Sequence, residues 1–258
     1  MARLGGWYYC AGEFVTVRMV QAGNIIEIYE YEKGYAKGYS LSAAEKSNRG
    51  RKKGMKSKNY EANRAMALNR AKNQLRRLIN ANIGAYGREF TAKFITLTFA
   101  ENVTNLDEAH YEYKKFLKRL NYAMFDSKQA NLRYSAVVEF QKRGAIHYHV
   151  IFYNLPYLRA DRLADIWGNG FVKINKIDDV DNVGAYVTKY MNKAADDPRL
   201  MGRKSYFNSR YLVNASEITD RERIEAVAAA LPPETLKYSS TFENEHRGAI
   251  SYRQYNLT

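Results

Sequence analysis

Residues 139–149 read Glu139-Phe140-Gln141-Lys142-Arg143-Gly144-Ala145-Ile146-His147-Tyr148-His149. Gly144 sits among polar residues, with strand-like runs over 132–141 and 145–153 on either side, which predicts a β-hairpin. On a strand, residues i and i+2 share a face. His147 and His149 therefore point one way, and Ile146, Tyr148 and Val150 take the opposite, core-facing side. With a turn at Arg143–Gly144, Glu139 falls near 148 or 149, and its direction depends on register. Two imidazoles and a carboxylate make an open divalent-metal site. The competing reading is a pair of ordinary strand histidines and an exposed glutamate. Two imidazoles on one face cost desolvation unless something binds them, and this favours metal ligation by His147, His149 and Glu139. Gln141 is a weaker candidate for an outer-shell role.

Further elements follow on both sides. Residues 93–99 alternate as a strand. Residues 105–125 form a helix with Leu106, Ala109, Tyr113, Phe116, Leu117 and Leu120 on one face. A short helix over 158–167, a strand over 170–175 and a helix over 180–194 complete the series, with Asp178, Asp179 or Asp181 available to cap the last helix. The order is β-α-β-β-α-β plus a helix. The predicted class is α+β: a ferredoxin- or RRM-like antiparallel sheet with helices on one face.

The last helix carries Tyr186 and Tyr190 at i and i+4, with Lys189 between them. Val183, Val187, Met191 and Ala194 extend the same stripe, so packing of the helix on the sheet is the plain account. Lys189 sharpens the alternative: an ammonium beside a phenol favours phenolate and can bind a phosphate under attack. Lys193 sits one turn on. Thr96 and Thr98 alternate with apolar residues in the first strand. They are candidates to face the histidines and touch DNA, although a plain strand threonine is the simpler account.

Outside this series, residues 6–40 read as a β-hairpin turning at Gly23–Asn24. Residues 46–58 form a basic, glycine-containing loop, and 60–83 a basic amphipathic helix striped by Leu68, Ala71, Leu75, Leu78 and Ile79. Residues 196–258 are less regular, with a helix over 217–231 ended by Pro232–Pro233. The expected organisation is a hairpin and basic DNA-binding region over 1–90, a core over 91–195, and a helical extension packed on that core over 196–258.

The net charge is +14, and residues 41–88 alone carry +11. Such a concentration is a footprint for a polyanion and supplies salt-dependent affinity rather than sequence choice. Arg49, Arg51, Lys52, Lys53, Lys56, Lys58, Arg76 and Arg77 are the candidate DNA contacts. Cys10 is the sole cysteine, so neither an internal disulfide nor a cysteine-based metal site is available. No apolar run reaches the roughly 18 residues of a membrane span, and no nucleotide-binding G-x-x-x-x-G-K-[ST] occurs.

Taken together, these motifs resemble the HUH endonucleases, in the branch of rolling-circle replication initiators. Residues 94–99 look like the family's DNA-contacting first motif. His147-Tyr148-His149 is similar to its metal-binding pair. Tyr186-Val187-Thr188-Lys189-Tyr190 looks like its nucleophile motif. Glu139 stands where viral members have a third, acidic ligand. The resemblance implies a Mg²⁺- or Mn²⁺-dependent enzyme that nicks single-stranded origin DNA. Tyr186 would form a 5′-phosphotyrosine with Tyr190 as second nucleophile, leaving a 3′-hydroxyl and later rejoining ends. It implies single-stranded origin DNA, host helicase and host polymerase as partners, no membrane, and the cytoplasm of a prokaryote hosting a phage, plasmid or prophage. A transposase or relaxase on the same core is the enzyme alternative. The non-enzyme alternative is an RRM-like module binding single strands by stacking and charge.

Overall fold

A computed structural model describes residues 13–38, 60–175, 177, 182–194, 197–200 and 202–258. They form two compact units.

The first unit holds β1 (Glu13–Ala22) and β2 (Ile25–Lys37), which turn at Gly23–Asn24. It also holds residues Ser216–Thr258, which do not form the expected helical extension. They contribute one helix and three strands, β8 (Ser216–Ile218), β9 (Leu236–Asn244) and β10 (Gly248–Asn256). Together with the hairpin these make a five-stranded sheet of order β8-β1-β2-β10-β9. The helix spans Arg221–Ala230, not 217–231, because Asp220 caps it by accepting from the Arg223 backbone N–H at 2.8 Å. Val17, Met19, Ile26, Ile28, Ile224 and Tyr255 make this unit's core.

The second unit contains the predicted series, each element within a few residues of its expected bounds. Helix α1 (Tyr60–Asn82) leads into it, followed by β3 (Lys93–Thr98) and α2 (Leu106–Phe125). Next come β4 (Tyr134–Phe140), β5 (Ile146–Phe152), α3 (Ala160–Trp167), β6 (Val172–Asn175) and α4 (Val183–Ala194). Strand β7 (Tyr206–Asn208) adds a fifth member. The sheet order is β6-β3-β5-β4-β7, every neighbouring pair antiparallel. This order is compatible with a ferredoxin-like core.

Helices cover both faces, not one. Ile95, Leu97, Val138, Tyr148 and Val150 pack against α2 and α3. Phe94, Val137, Ile151 and Tyr153, from the alternate strand positions, pack with Leu75 and Ile79 of α1 and Val187 and Met191 of α4. Each side of the central strands is apolar, so each requires a cover. The histidines and Glu139 lie on the side covered by α1 and α4.

Candidate active site

The β4–β5 connection sets the register. Gln141 donates its N–H to the Ala145 carbonyl at 2.9 Å, and Gly144 donates to the Gln141 carbonyl at 2.8 Å. Residues 142–144 form a three-residue loop, with Gly144 at φ +86, a conformation suited to glycine. Glu139 consequently lies opposite His147, not opposite 148 or 149. Its carboxylate reaches diagonally and accepts a short hydrogen bond from His149 Nε2. Thr96 faces His149 and Thr98 faces His147 across the β3–β5 pair. All five polar side chains occupy one face.

Both imidazoles are held by Nδ1. The Thr96 hydroxyl lies 3.1 Å from His149 Nδ1 and accepts from Asn175 Nδ2 at 3.1 Å. The Gln141 amide lies 3.4 Å from His147 Nδ1. The Thr98 hydroxyl donates to the Phe171 carbonyl at 3.0 Å. Thr96 thus orients a ring, and Thr98 is engaged by backbone. Asn175 was missed in the sequence because its position is set by β6 pairing two strands away from the histidines.

The cluster is enclosed: Glu139 and His147 are each 8% exposed and His149 is 4%. The Tyr190 ring stacks on His149 with centroids 3.7 Å apart and planes at 25°. Phe94 sits beneath both tyrosines, its ring 5.6 Å from Tyr186 and 5.7 Å from Tyr190. Burial first, then a hydrogen bond donated to Tyr186, then the negative field of Tyr186 and Glu139, push the Tyr190 phenol well above its usual range. Tyr190 therefore stays protonated, with its proton directed at the Tyr186 oxygen. The Lys189 ammonium lies over the Tyr186 ring, 5.7 Å from its centre, and not beside the hydroxyl.

Two asparagines fix the start of α4. Asn182 Oδ1 accepts from the Ala185 N–H at 2.9 Å, and Asn80 Oδ1 from the Gly184 N–H at 2.8 Å. Asn80 Nδ2 in turn donates to Asn182 Oδ1 at 2.9 Å. The cap is thus Asn182, assisted by α1, while Asp178, Asp179 and Asp181 lie outside the described residues. The same is true of Arg49, Arg51, Lys52, Lys53, Lys56 and Lys58, and of the Lys193 side chain. Arg76 and Arg77 lie on α1, the helix packed beside α4.

As they stand, no three His, Cys, Asp or Glu side chains among the described residues converge as a ready metal-binding group. Glu139 is hydrogen-bonded to His149 instead. The donor set still fits a divalent cation chemically: two imidazoles anchored by Nδ1 and a carboxylate on one face. A swing of Glu139 off His149 Nε2 would free that nitrogen.

Residues 92–195 match the model of the replication-associated protein family of the ORF2 type. The match begins one residue before β3, ends one residue after α4, and spans about two fifths of the chain. It contains every histidine, tyrosine and carboxylate of the cluster. It supports a replication-initiator, Rep-type protein with a role in DNA replication. No curated protein and no solved structure matches the chain. No helix among the described residues is long and apolar enough to cross a membrane.

Proposed function

We propose that this protein is a replication initiator that nicks and rejoins single-stranded DNA at an origin through a tyrosine of α4. The observation that carries this is the convergence of the two tyrosines on the His147–His149–Glu139 face, inside the segment that matches the replication-associated family. A basic protein with a nucleophile-bearing helix over a histidine pair suits phosphodiester chemistry.

His147, His149 and Glu139 would hold a Mg²⁺ or Mn²⁺ ion, which supplies charge neutralisation at the scissile phosphate when bound. The remaining work belongs to this chain. Thr96 and Gln141 hold the imidazoles by Nδ1. Tyr186 is the first nucleophile: its oxygen receives the Tyr190 proton as a hydrogen bond while negative charge develops there. That oxygen attacks phosphorus, the ester bond to the 3′ side breaks, and a 5′-phosphotyrosine and a 3′-hydroxyl result. The ester conserves the bond, so the reverse attack rejoins the strand without ATP. Host polymerase would extend the 3′-hydroxyl, and host helicase would open the duplex, inside a prokaryotic cell. Tyr190 is the second nucleophile, available for a second cut while the first adduct persists.

The test is a denaturing gel after incubation with origin-bearing single-stranded DNA and Mn²⁺. A covalent protein–DNA adduct is expected, lost with chelator and with His149→Ala. Tyr186→Phe should lose most of it. Full yield in Tyr186→Phe with loss in Tyr190→Phe would reverse the assignment of the two tyrosines. Metal-independent binding with no adduct would instead favour a non-catalytic single-strand-binding module.

A further inference from the structure

At the other end of β4 lies a groove unconnected with the histidines. It has a volume of about 910 Å³ and is built from the end of α2, the loop that follows it, the start of β4 and residues 208–211 beyond β7. Four cations line it, Lys118, Lys128, Arg133 and Arg210, and no carboxylate does. Among the described residues none of the four forms an ion pair. Tyr122 and Tyr211 project from its walls, 55% and 80% exposed. A cluster of unneutralised cations calls for an anionic partner, and exposed rings among them call for a flat one.

Two further observations indicate a built groove. The loop wall is wrapped around one buried side chain, Asn121. Its amide donates to the carbonyls of Ser127 at 2.8 Å and Gln129 at 2.7 Å, and its oxygen accepts from the N–H groups of Asn131 at 2.8 Å and Leu132 at 3.1 Å. The wall is therefore preformed, which lowers the ordering cost of binding. Opposite it, Tyr211 holds a left-handed backbone at φ +60, which a bulky residue rarely adopts. The Arg133 guanidinium lies over the Tyr211 ring, 5.7 Å from its centre. Hydrogen bonds from Arg133 to the Ala130 and Leu132 carbonyls fix that guanidinium.

We propose that this groove is a second binding site for single-stranded DNA, in which a base stacks on Tyr211 and the flanking phosphates meet Lys128, Arg133 and Arg210. Tyr134, in its wall, precedes Glu139 by five strand residues, about 17 Å. Tyr134 also packs on the α2 side of the sheet, the reverse of the histidine face. A strand bound here would be held while a separate stretch is cut. The proposal rests on the DNA reading above, but not on its chemistry.

The experiment measures anisotropy of a labelled 30-nucleotide single strand with the full chain across a salt series, beside adduct formation on a short oligonucleotide covering only the nick. Lys128→Ala/Arg210→Ala should make the slope of log affinity against log salt shallower by about 1.4. Tyr211→Asn keeps a residue tolerant of the left-handed backbone but removes the ring, and should weaken binding roughly 5- to 150-fold. Tyr211→Phe should bind like the parent. All three should form the short-substrate adduct like the parent, which also reports that they fold. Unchanged affinity and slope in the first two variants overturns the groove, as does a loss confined to a duplex probe. An absent adduct in the parent alongside the predicted binding losses would sink the nicking chemistry and leave the groove standing.

Discussion

Thr96 shows how much depends on a single hydroxyl. It stands between Asn175 and His149 Nδ1 and ties that ring nitrogen to the neighbouring strands. Thr96→Val keeps the shape and removes the bond. Metal affinity should fall about 10- to 100-fold, read as the Mn²⁺ concentration giving half-maximal adduct. The sequence placed Thr96 on the correct face by alternation alone, but as a DNA contact. Its role as a support appears only once β6 brings Asn175 beside it. His110 makes a separate prediction. Desolvation first, and then the Lys114 charge, depress its pKa below the ordinary 6.5, and its Nδ1 takes a short hydrogen bond from Tyr148. Burial raises the Tyr148 phenol, so that hydroxyl stays protonated and donates. The folded state therefore binds fewer protons at His110 than the unfolded chain does. Its contribution to stability is complete above the ordinary value and is lost as pH falls through the depressed one. The urea midpoint should drop on going from pH 7 to about pH 5, and less so in His110→Gln.

At the level of elements, α4 is seated by unusually close contact. A Cβ added at Gly184 would lie 2.2 Å from the Arg76 carbonyl oxygen. Gly184→Ala should destabilise the fold by about 1–3 kcal/mol, since the clash is with backbone. Asn182→Ala, which removes the cap, should cost about 1 kcal/mol. Thermal unfolding measures both, and adduct yield shows whether the tyrosines move with the helix. The elements around the site were legible because strand and helix periods differ so clearly from 93 to 194. The β4–β5 register was not, since a three-residue loop and a two-residue turn look alike around Gly144 and differ by one position in pairing. β9 and β10 were missed altogether. A register shift between Gln254 and Tyr255 interrupts the alternation of β10, and β9 is exposed along nearly its whole length, so neither carries a clean apolar period.

Over the whole molecule, the charge of +14 sets the ionic-strength response. Single-strand affinity should fall linearly on a log–log plot against salt, by about 0.7 per phosphate neutralised. A flat plot would remove the electrostatic case for DNA. The second covered face of the sheet was hidden from the sequence for a physical reason. Alternate apolar positions such as Phe94, Val137 and Ile151 state that a face is buried, but not which helix buries it. The helix that buries it here is the one bearing Tyr186 and Tyr190. A DNA end esterified to Tyr186 would therefore be tethered two residues from Gly184, the most immovable point of α4. Such a tether has no swivel of its own. Any rotation needed while the other strand is copied would have to be taken up by the nucleic acid, and the parked end would meet its rejoining partner at a spot about one helical turn from Tyr190.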